Sequence, residues 1–563
     1  MAAGNEPPGT ARPARRVRFG IVALALATLL ALGILRGAHF FENSAAPSIR
    51  AVHYWGACYP KNFWNCVDRN ALDRDFLRIR ADGFNAIVLA VSWTEFEPRL
   101  TPTPVFDERS FALLQELVRK ARAHDLDVVL RVGFIWSFRP DAQLPNAERV
   151  DAAFVDDSVR NAWLAFVGEV CRRICDEPNL RFGFLSWEDL FPFSIATMGA
   201  NTAHLGLRHR FVDYLRSSHA LPELDALLGR HFASWDEVTV PDRRSAAYAL
   251  VFDYWDDALI NRFWLPARKL FPRLSFEVRV DSDPVWNGDA ITWHAHDALF
   301  RVPGVDPAVI YYAVAWSMRN EGDEVDADPA LAALEQLLAT AKRNSGSPTL
   351  FIDQFNFFDN TPQFSRNTRL RESQLDAMLA GSAALFAKYH AGYALWSDHD
   401  YAASIVYNPA FQAGLDGWAA TAGVAAQRGP DGRLEAHLAP GASIAQAIDS
   451  ANREPGFVAG APGSLCFSAR SLADSGARLR MAGLPPLPTE LTLTLAGGAA
   501  RRCIDVSLAP RFRLEVSASN GAVAITAIEL FTHEQRSRMY HADGSAGPQL
   551  AAIRALNAEL ARR

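Results

Sequence analysis

Between residues 50 and 405 the chain alternates short runs of β-branched and aromatic residues with longer stretches whose apolar positions recur three and four apart. The short runs predict strands at about 49–54, 86–91, 127–131, 182–187, 275–280, 309–315, 349–353 and 392–396. The longer stretches predict helices that include 108–124, 161–175, 330–344 and 371–389. Such alternation is the pattern of parallel βα units. A doubly wound open sheet would share it, but eight strands with polar and aromatic residues repeated at their C-terminal ends favour a closed (β/α)8 TIM barrel over 49–405. The pattern changes after Val406. Residues 407–535 hold no long helical period, only short β-rich segments such as 478–481, 490–495, 503–507, 513–517 and 523–531 set between Gly and Pro, which predicts a β-sandwich over 406–535. The tail, 536–563, ends in an Ala-rich stretch that reads as a short helix or a frayed terminus.

The N-terminus adds a third element. Arg12, Arg15, Arg16 and Arg18 precede an uncharged run from Phe19 to Leu35. The positive-inside rule then keeps 1–18 in the cytoplasm, makes 19–36 a transmembrane anchor, and sends the rest across. The expectation is a single-pass inner-membrane protein whose folded part faces the periplasm. Ser44-Ala45-Ala46 offers an alternative cleavage region and a released product. The fold class expected is therefore α/β: a TIM barrel, then a jelly-roll β-sandwich, with an N-terminal transmembrane helix.

Composition narrows the function. With 49% hydrophobic residues in 563 there is ample material for two cores, and a net charge of −6 excludes the basic footprint of a nucleic-acid binder. Six cysteines suit an oxidising compartment. Cys58–Cys66 and Cys466–Cys503 are expected disulfides, whereas Cys171 and Cys175, four apart on a helix, are expected to remain buried thiols. No cofactor and no metal is expected. His294 and His296 stand two apart after Trp293 without carboxylates placed to complete a metal sphere, and read as substrate contacts or loop structure.

Candidate chemistry collects at the strand ends. His53-Tyr54-Trp55, Trp93-Thr94-Glu95-Phe96-Glu97-Pro98, Arg131 with Trp136, and Trp396 with Asp398 and His399 each pair aromatic faces with hydroxyl-bonding polar groups. That mixture suits sugar rings, which need an apolar wall and a few placed polar groups. His53, Trp55, Trp93, Glu95, Arg131, Trp136, Trp187, Tyr312, Trp396 and Asp398 are the candidate substrate contacts. Glu97, Asp281, Asp283 and Asp400 also fall at mouth positions, where loop solvation or capping is the favoured reading.

Four of these segments carry a resemblance. Gly83-Phe84-Asn85-Ala86-Ile87 followed by Trp93-Thr94-Glu95-Phe96-Glu97-Pro98 resembles the second-strand segment of the clan A glycoside hydrolases, the superfamily of cellulases, β-mannanases and β-galactosidases. Leu185-Ser186-Trp187-Glu188-Asp189 resembles their fourth-strand segment, which supplies the acid/base. Pro348-Thr349-Leu350-Phe351-Ile352-Asp353-Gln354-Phe355-Asn356 resembles the seventh, which supplies the nucleophile, and Gly392-Tyr393-Ala394-Leu395-Trp396-Ser397 the eighth. The resemblance implies a retaining mechanism with two carboxyl groups about 5–5.5 Å apart. The chain departs from the pattern twice: Glu188-Asp189 stands where Asn-Glu is usual, and Gln354 aligns with the usual glutamate. Two registers follow. Unshifted, Asp189 and Gln354 face the site and a nucleophilic hydrolase is excluded. Shifted by one, Glu188 and Asp353 restore the carboxylate pair, provided a bulge or strand end re-aims them. In the C-terminal unit, Tyr407 to Trp418 and Ile525 to Phe531 resemble the first and last strands of jelly-roll carbohydrate-binding modules.

These readings imply a membrane-anchored, extracytoplasmic hydrolase acting on a β-linked polysaccharide or oligosaccharide, in exopolysaccharide processing beside export or synthase machinery. The alternative is a glycan-binding barrel without hydrolysis.

Overall fold

The computed structural model describes residues 48–134, 137–144, 146–186, 206–242, 244–279, 284–288, 290–313, 324–356, 368–453, 458–473, 477–483, 491–495, 500–536 and 539–563. Eight strands, β1 (Arg50–His53), β2 (Ala86–Ser92), β3 (Asp127–Phe134), β4 (Leu180–Leu185), β5 (Leu274–Val278), β6 (Ala308–Ala313), β7 (Leu350–Asn356) and β8 (Ala391–Leu395), close into a barrel in chain order. Every pairing is parallel, including the β1–β8 closure that sets Arg50 opposite Tyr393. Both faces of such strands are covered, which is why β2 is buried along its whole length.

Around the barrel lie α1 (Leu72–Ala81), α2 (Glu108–Ala123), α3 (Asp157–Ile174), α4 (Ala249–Ala258), α5 (Ala327–Ser345) and α6 (Leu375–Tyr389). Their starts are chemically marked: Asp107 accepts from the Ser110 amide ahead of α2, and Asp156 from the Ser158 amide ahead of α3. Side chains alternate along each strand, so Ala51, Val88, Val129, Phe184, Val309 and Phe351 meet inside the barrel as one apolar cluster. Their strand neighbours turn outward to the helices in the main core.

The chain leaves the barrel earlier than its composition implies. Tyr401–Ser404, inside the range expected of the barrel, pairs antiparallel with Val523–Gln535 in the C-terminal sandwich. That sheet runs Val424–Arg428, Leu434–Leu438, Val523–Gln535, Pro462–Ser471, Ala500–Ser507. It faces a second of Ala419–Ala420, Ser443–Asp449, Arg511–Ala518, Ala477–Ala482 and Leu491–Leu495. The two enclose a core that includes Leu465, Phe467, Leu514 and Ile528.

All six cysteines are bonded. Cys58–Cys66 closes one loop, and Cys466–Cys503 joins directly paired strands. Cys171–Cys175 corrects the expectation of free thiols. Helix α3 ends at Ile174, and in that final turn the Cys175 amide donates to the Cys171 carbonyl at 2.7 Å. The Cα atoms thereby stand 4.7 Å apart, inside the range a disulfide spans.

The tail is no frayed end. Helix α7 (Leu550–Arg562) buries Ile553, Leu556, Asn557 and Leu560 against the barrel's helical shell. Asn557 receives the Tyr393 hydroxyl at 2.6 Å and donates to the Asp82 carbonyl at 2.9 Å. Gly83 permits this approach: its φ is 85°, and a Cβ there would lie 2.8 Å from that of Asn557. Truncation after Gln549 is expected to destabilise the barrel by several kcal/mol, at about 1.5–3 kcal/mol per large apolar side chain exposed. A thermal melt of the truncated chain that matches the intact one would contradict this. Among the described residues no helix is long and apolar enough to cross a membrane. The expected span 19–36 lies outside them.

Candidate functional site

One step above the apolar cluster, the same alternation delivers a polar layer. His53 follows Ala51 by two residues, Arg131 follows Val129, Ser186 follows Phe184, Tyr311 follows Val309, Asp353 follows Phe351 and Trp396 follows Ala394. Each therefore points into the barrel toward the C-terminal ends of the strands, where barrel sites are built. Glu277 of β5 joins them. His53 Nε2 lies 2.8 Å from Asp353 Oδ1, and Arg131 Nε 3.8 Å from Asp353 Oδ2. Arg131 also donates to Ser186 Oγ at 3.0 and 2.8 Å and to Glu277 Oε2 at 3.3 Å. Arg279 stands 3.8 Å from the other Glu277 oxygen and stacks 3.6 Å from the Tyr311 ring centroid.

Two carboxyl groups in this layer are driven apart in acidity. Burial pushes both toward the neutral form. For Asp353 the charges of Arg131 and His53 outweigh it and hold the group below the usual carboxylate range. For Glu277 burial prevails, reinforced by the charge of Asp353, and the group is raised well above its ordinary value. Two neighbouring buried carboxyl groups are thus pushed in opposite directions, the kind of arrangement by which acid and base roles are divided.

Strand β7 is bulged at this point. The pairing register slips between Ile352 and Phe355 on the β8 side and between Asp353 and Asn356 on the β6 side, and Gln354 has a φ of 51°. Ile352 and Phe355 both face outward; Phe355 packs 5.2 Å from Phe386 of α6. Asp353 and Gln354 therefore occupy together a place that an unbulged strand gives to a single inward residue. Both are buried, and among the described residues no group bonds the Gln354 Oε1 oxygen.

Of the predicted contacts, His53, Trp55, Arg131, Asp353 and Trp396 come together. The His53 ring lies 4.8 Å from Trp396 and 6.2 Å from Trp55, which is itself 5.5 Å from Trp396. Trp136, Trp187, Glu188 and Asp189 lie outside the described residues, as do Asp281 and Asp283. Four others are placed elsewhere. Tyr312 points outward and gives its hydroxyl to the Ala330 carbonyl of α5 at 3.3 Å; the inward aromatic is its neighbour Tyr311, since one residue's step reverses the face. Trp93 faces helix α3, 5.2 Å from Trp163. Glu95 binds the two folded units together, accepting from Ser137 at 2.7 Å and from the Tyr407 hydroxyl at 3.2 Å. Asp398 pairs with His399 at 2.7 Å and Arg78 at 3.4 Å in the helical shell. Sequence reasoning missed Glu277, although an acid inside the apolar run Leu274–Val278 was a visible signal. It also missed that Asp253 and Asp256 of α4 stand beside His294 and His296.

Glu97 marks a second buried acid. Its Oε2 accepts from the Trp93 indole at 2.6 Å, while Arg149 bonds its carbonyl at 2.6 Å and not its carboxyl. Burial raises it to about 8. A carboxyl whose folded value exceeds its unfolded one contributes stability that is full below the ordinary value of 4.5 and is lost as pH rises to about 8. Glu97→Gln is therefore expected to match the wild type near pH 4.5 and to exceed it by a few kcal/mol at pH 8, at ~1.4 kcal/mol per pH unit between. Urea melts across that interval check the crossing.

No family model matches the chain, and no curated protein matches it. Among solved structures it is similar to the exo-β-1,4-mannosidase Op5Man5 from Opitutaceae bacterium strain TAV5, at 14% identity over 63% of this chain and 53% of that one, with a TM-score of 0.39. The chain thus spans about half the length of that enzyme. A GH5_18 protein from Bifidobacterium longum subsp. longum ATCC 55813, in complex with Manβ1-4GlcNAc, matches at 16% identity over 64% of this chain and 71% of its own, TM-score 0.37. TmCBM61, in complex with β-1,4-galactotriose, matches at 13% identity over 23% of this chain and 99% of its own, TM-score 0.20.

Proposed function

We propose that the chain is a glycoside hydrolase that cleaves a β-linked polysaccharide by a two-carboxylate retaining mechanism. The observation that carries this reading is Asp353, an inward carboxylate kept ionised by Arg131 and His53. An ionised carboxylate is the state a nucleophile requires. Asp353 attacks the anomeric carbon and forms the glycosyl ester as Glu188 protonates the departing oxygen; Glu188 then deprotonates the water that cleaves the ester. The partly exposed Trp396 supplies the apolar floor on which a pyranose ring rests. We further propose that residues 19–36 anchor the protein in the inner membrane with the barrel in the periplasm, where exopolysaccharide is processed beside its export machinery.

A second reading, a barrel that holds glycan without cutting it, draws on the full burial of Asp353 and on Gln354 at the customary nucleophile position. Reducing-sugar release from a broad panel of β-linked polysaccharides decides between them. Hydrolysis by the wild type that is lost in Glu188→Gln supports the enzyme. Binding to a panel member with no sugar released from any of them supports the binder.

A further inference from the structure

Away from the barrel interior, helix α4 presents Asp253 and Asp256 one turn apart. The chain leaving the two-stranded hairpin Pro284–Asn287/Ala290–Trp293 lays two histidines against them. His296 Nδ1 is 2.8 Å from Asp256 Oδ1, and His294 Nε2 is 3.0 Å from Asp253 Oδ1. The two imidazole centroids are 4.5 Å apart, and both rings pack on Phe252 at 5.3 and 5.9 Å.

Asp256 is fully buried, and among the described residues no group donates to its second oxygen, Oδ2. Burial raises its pKa, and the largest other influences on its charge are His296, His294 and Asp253. A carboxyl oxygen taken out of water ordinarily has a donor or a cation beside it, and Oδ2 has neither among the described residues. One donor atom from each of Asp256, His294 and His296 falls within 4.8 Å of the other two. Metal bonds of ~2.0–2.2 Å set such atoms roughly 3–4 Å apart, so small side-chain rotations close the set around one ion.

We propose that Asp256, His294 and His296 bind a divalent transition-metal cation of the zinc type, with the half-exposed Asp253 as a fourth ligand or as the hydrogen-bond partner of His294. Two imidazoles with carboxylate oxygen favour such ions over calcium or magnesium, which prefer all-oxygen sets. The ion's role is to fasten the hairpin that follows β5 to helix α4.

The full chain, purified without a histidine tag and stripped with chelator, tests this by titration with Co2+ and then Zn2+. All six cysteines are in disulfides, so no thiolate competes for the probe. One equivalent of Co2+ is expected, with a visible d–d band that Zn2+ abolishes. His294→Gln and His296→Gln should each weaken Zn2+ binding by at least about 100-fold, while His231→Gln, at an exposed Asp225 pair, should leave it unchanged. If His296→Gln fails to fold, the less buried His294 decides. Absence of stoichiometric uptake, or uptake unaltered by His294→Gln, overturns the proposal.

Discussion

Replacing Asp353 by asparagine is expected to lower sugar release by at least ~10⁴-fold while glycan affinity stays within a few-fold of the wild type. The amide has the same shape and still meets His53, but it has no anionic oxygen to form the glycosyl ester. The fold should survive the change, because Arg131 keeps Ser186 and Glu277 as partners. Steady-state kinetics on whichever polysaccharide the wild type cleaves, paired with a binding isotherm, check both halves. Activity within tenfold of the wild type would remove Asp353 from the chemistry and leave it as a structural ion. Arg131 and His53 hold Asp353 below the ordinary carboxylate range, so its own protonation should not set the acid limb of the pH profile. The alkaline limb, set where the acid Glu188 loses its proton, should move with changes at Glu188.

Removing the cation beneath that carboxylate should have the largest effect on stability. Arg131→Met is expected to cost about 3–5 kcal/mol, the usual result of stranding a buried charge. Arg131 is fully buried, and its guanidinium serves Ser186, Glu277 and Asp353 at once. Without it Asp353 loses the larger of the two charges that keep it ionised, and its acidity falls toward that of Glu277. The double variant Arg131→Met/Asp353→Asn should recover part of the loss, since the stranded charge is then gone. A double-mutant cycle by chemical denaturation measures that coupling. A cost below about 1 kcal/mol, or strictly additive losses, would show that the polar layer is not held by its charges.

The barrel was legible from the chain because its evidence is local and repeated. Each strand is a compact apolar run, each is followed by a helical period, and eight such units leave little freedom in how they close. The first strand, predicted at 49–54, is observed at Arg50–His53, and the seventh, predicted at 349–353, at Leu350–Asn356. His53, Arg131 and Trp396 were equally legible, as polar or aromatic residues where strands end. The outward turn of Tyr312 was not. A one-residue register decides which face a side chain takes, and the period of two in an all-apolar strand gives no sign of it. Glu95 shows a different limit. Its use at the contact with Tyr407 depends on a residue 312 positions away in sequence.

What the sequence by itself determined is the order of units, a parallel barrel and then a β-sandwich, and the residue types that crowd the strand ends. These follow from periodicity and composition, which need no partner elsewhere in the chain. What only the tertiary structure decided is which of those residues meet. The bulge at Gln354, the division of acidity between Asp353 and Glu277, and the approach of His294 and His296 to helix α4 all arise from contacts between distant segments. The energy of a buried charge depends on what surrounds it, and those surroundings exist only once the chain has closed.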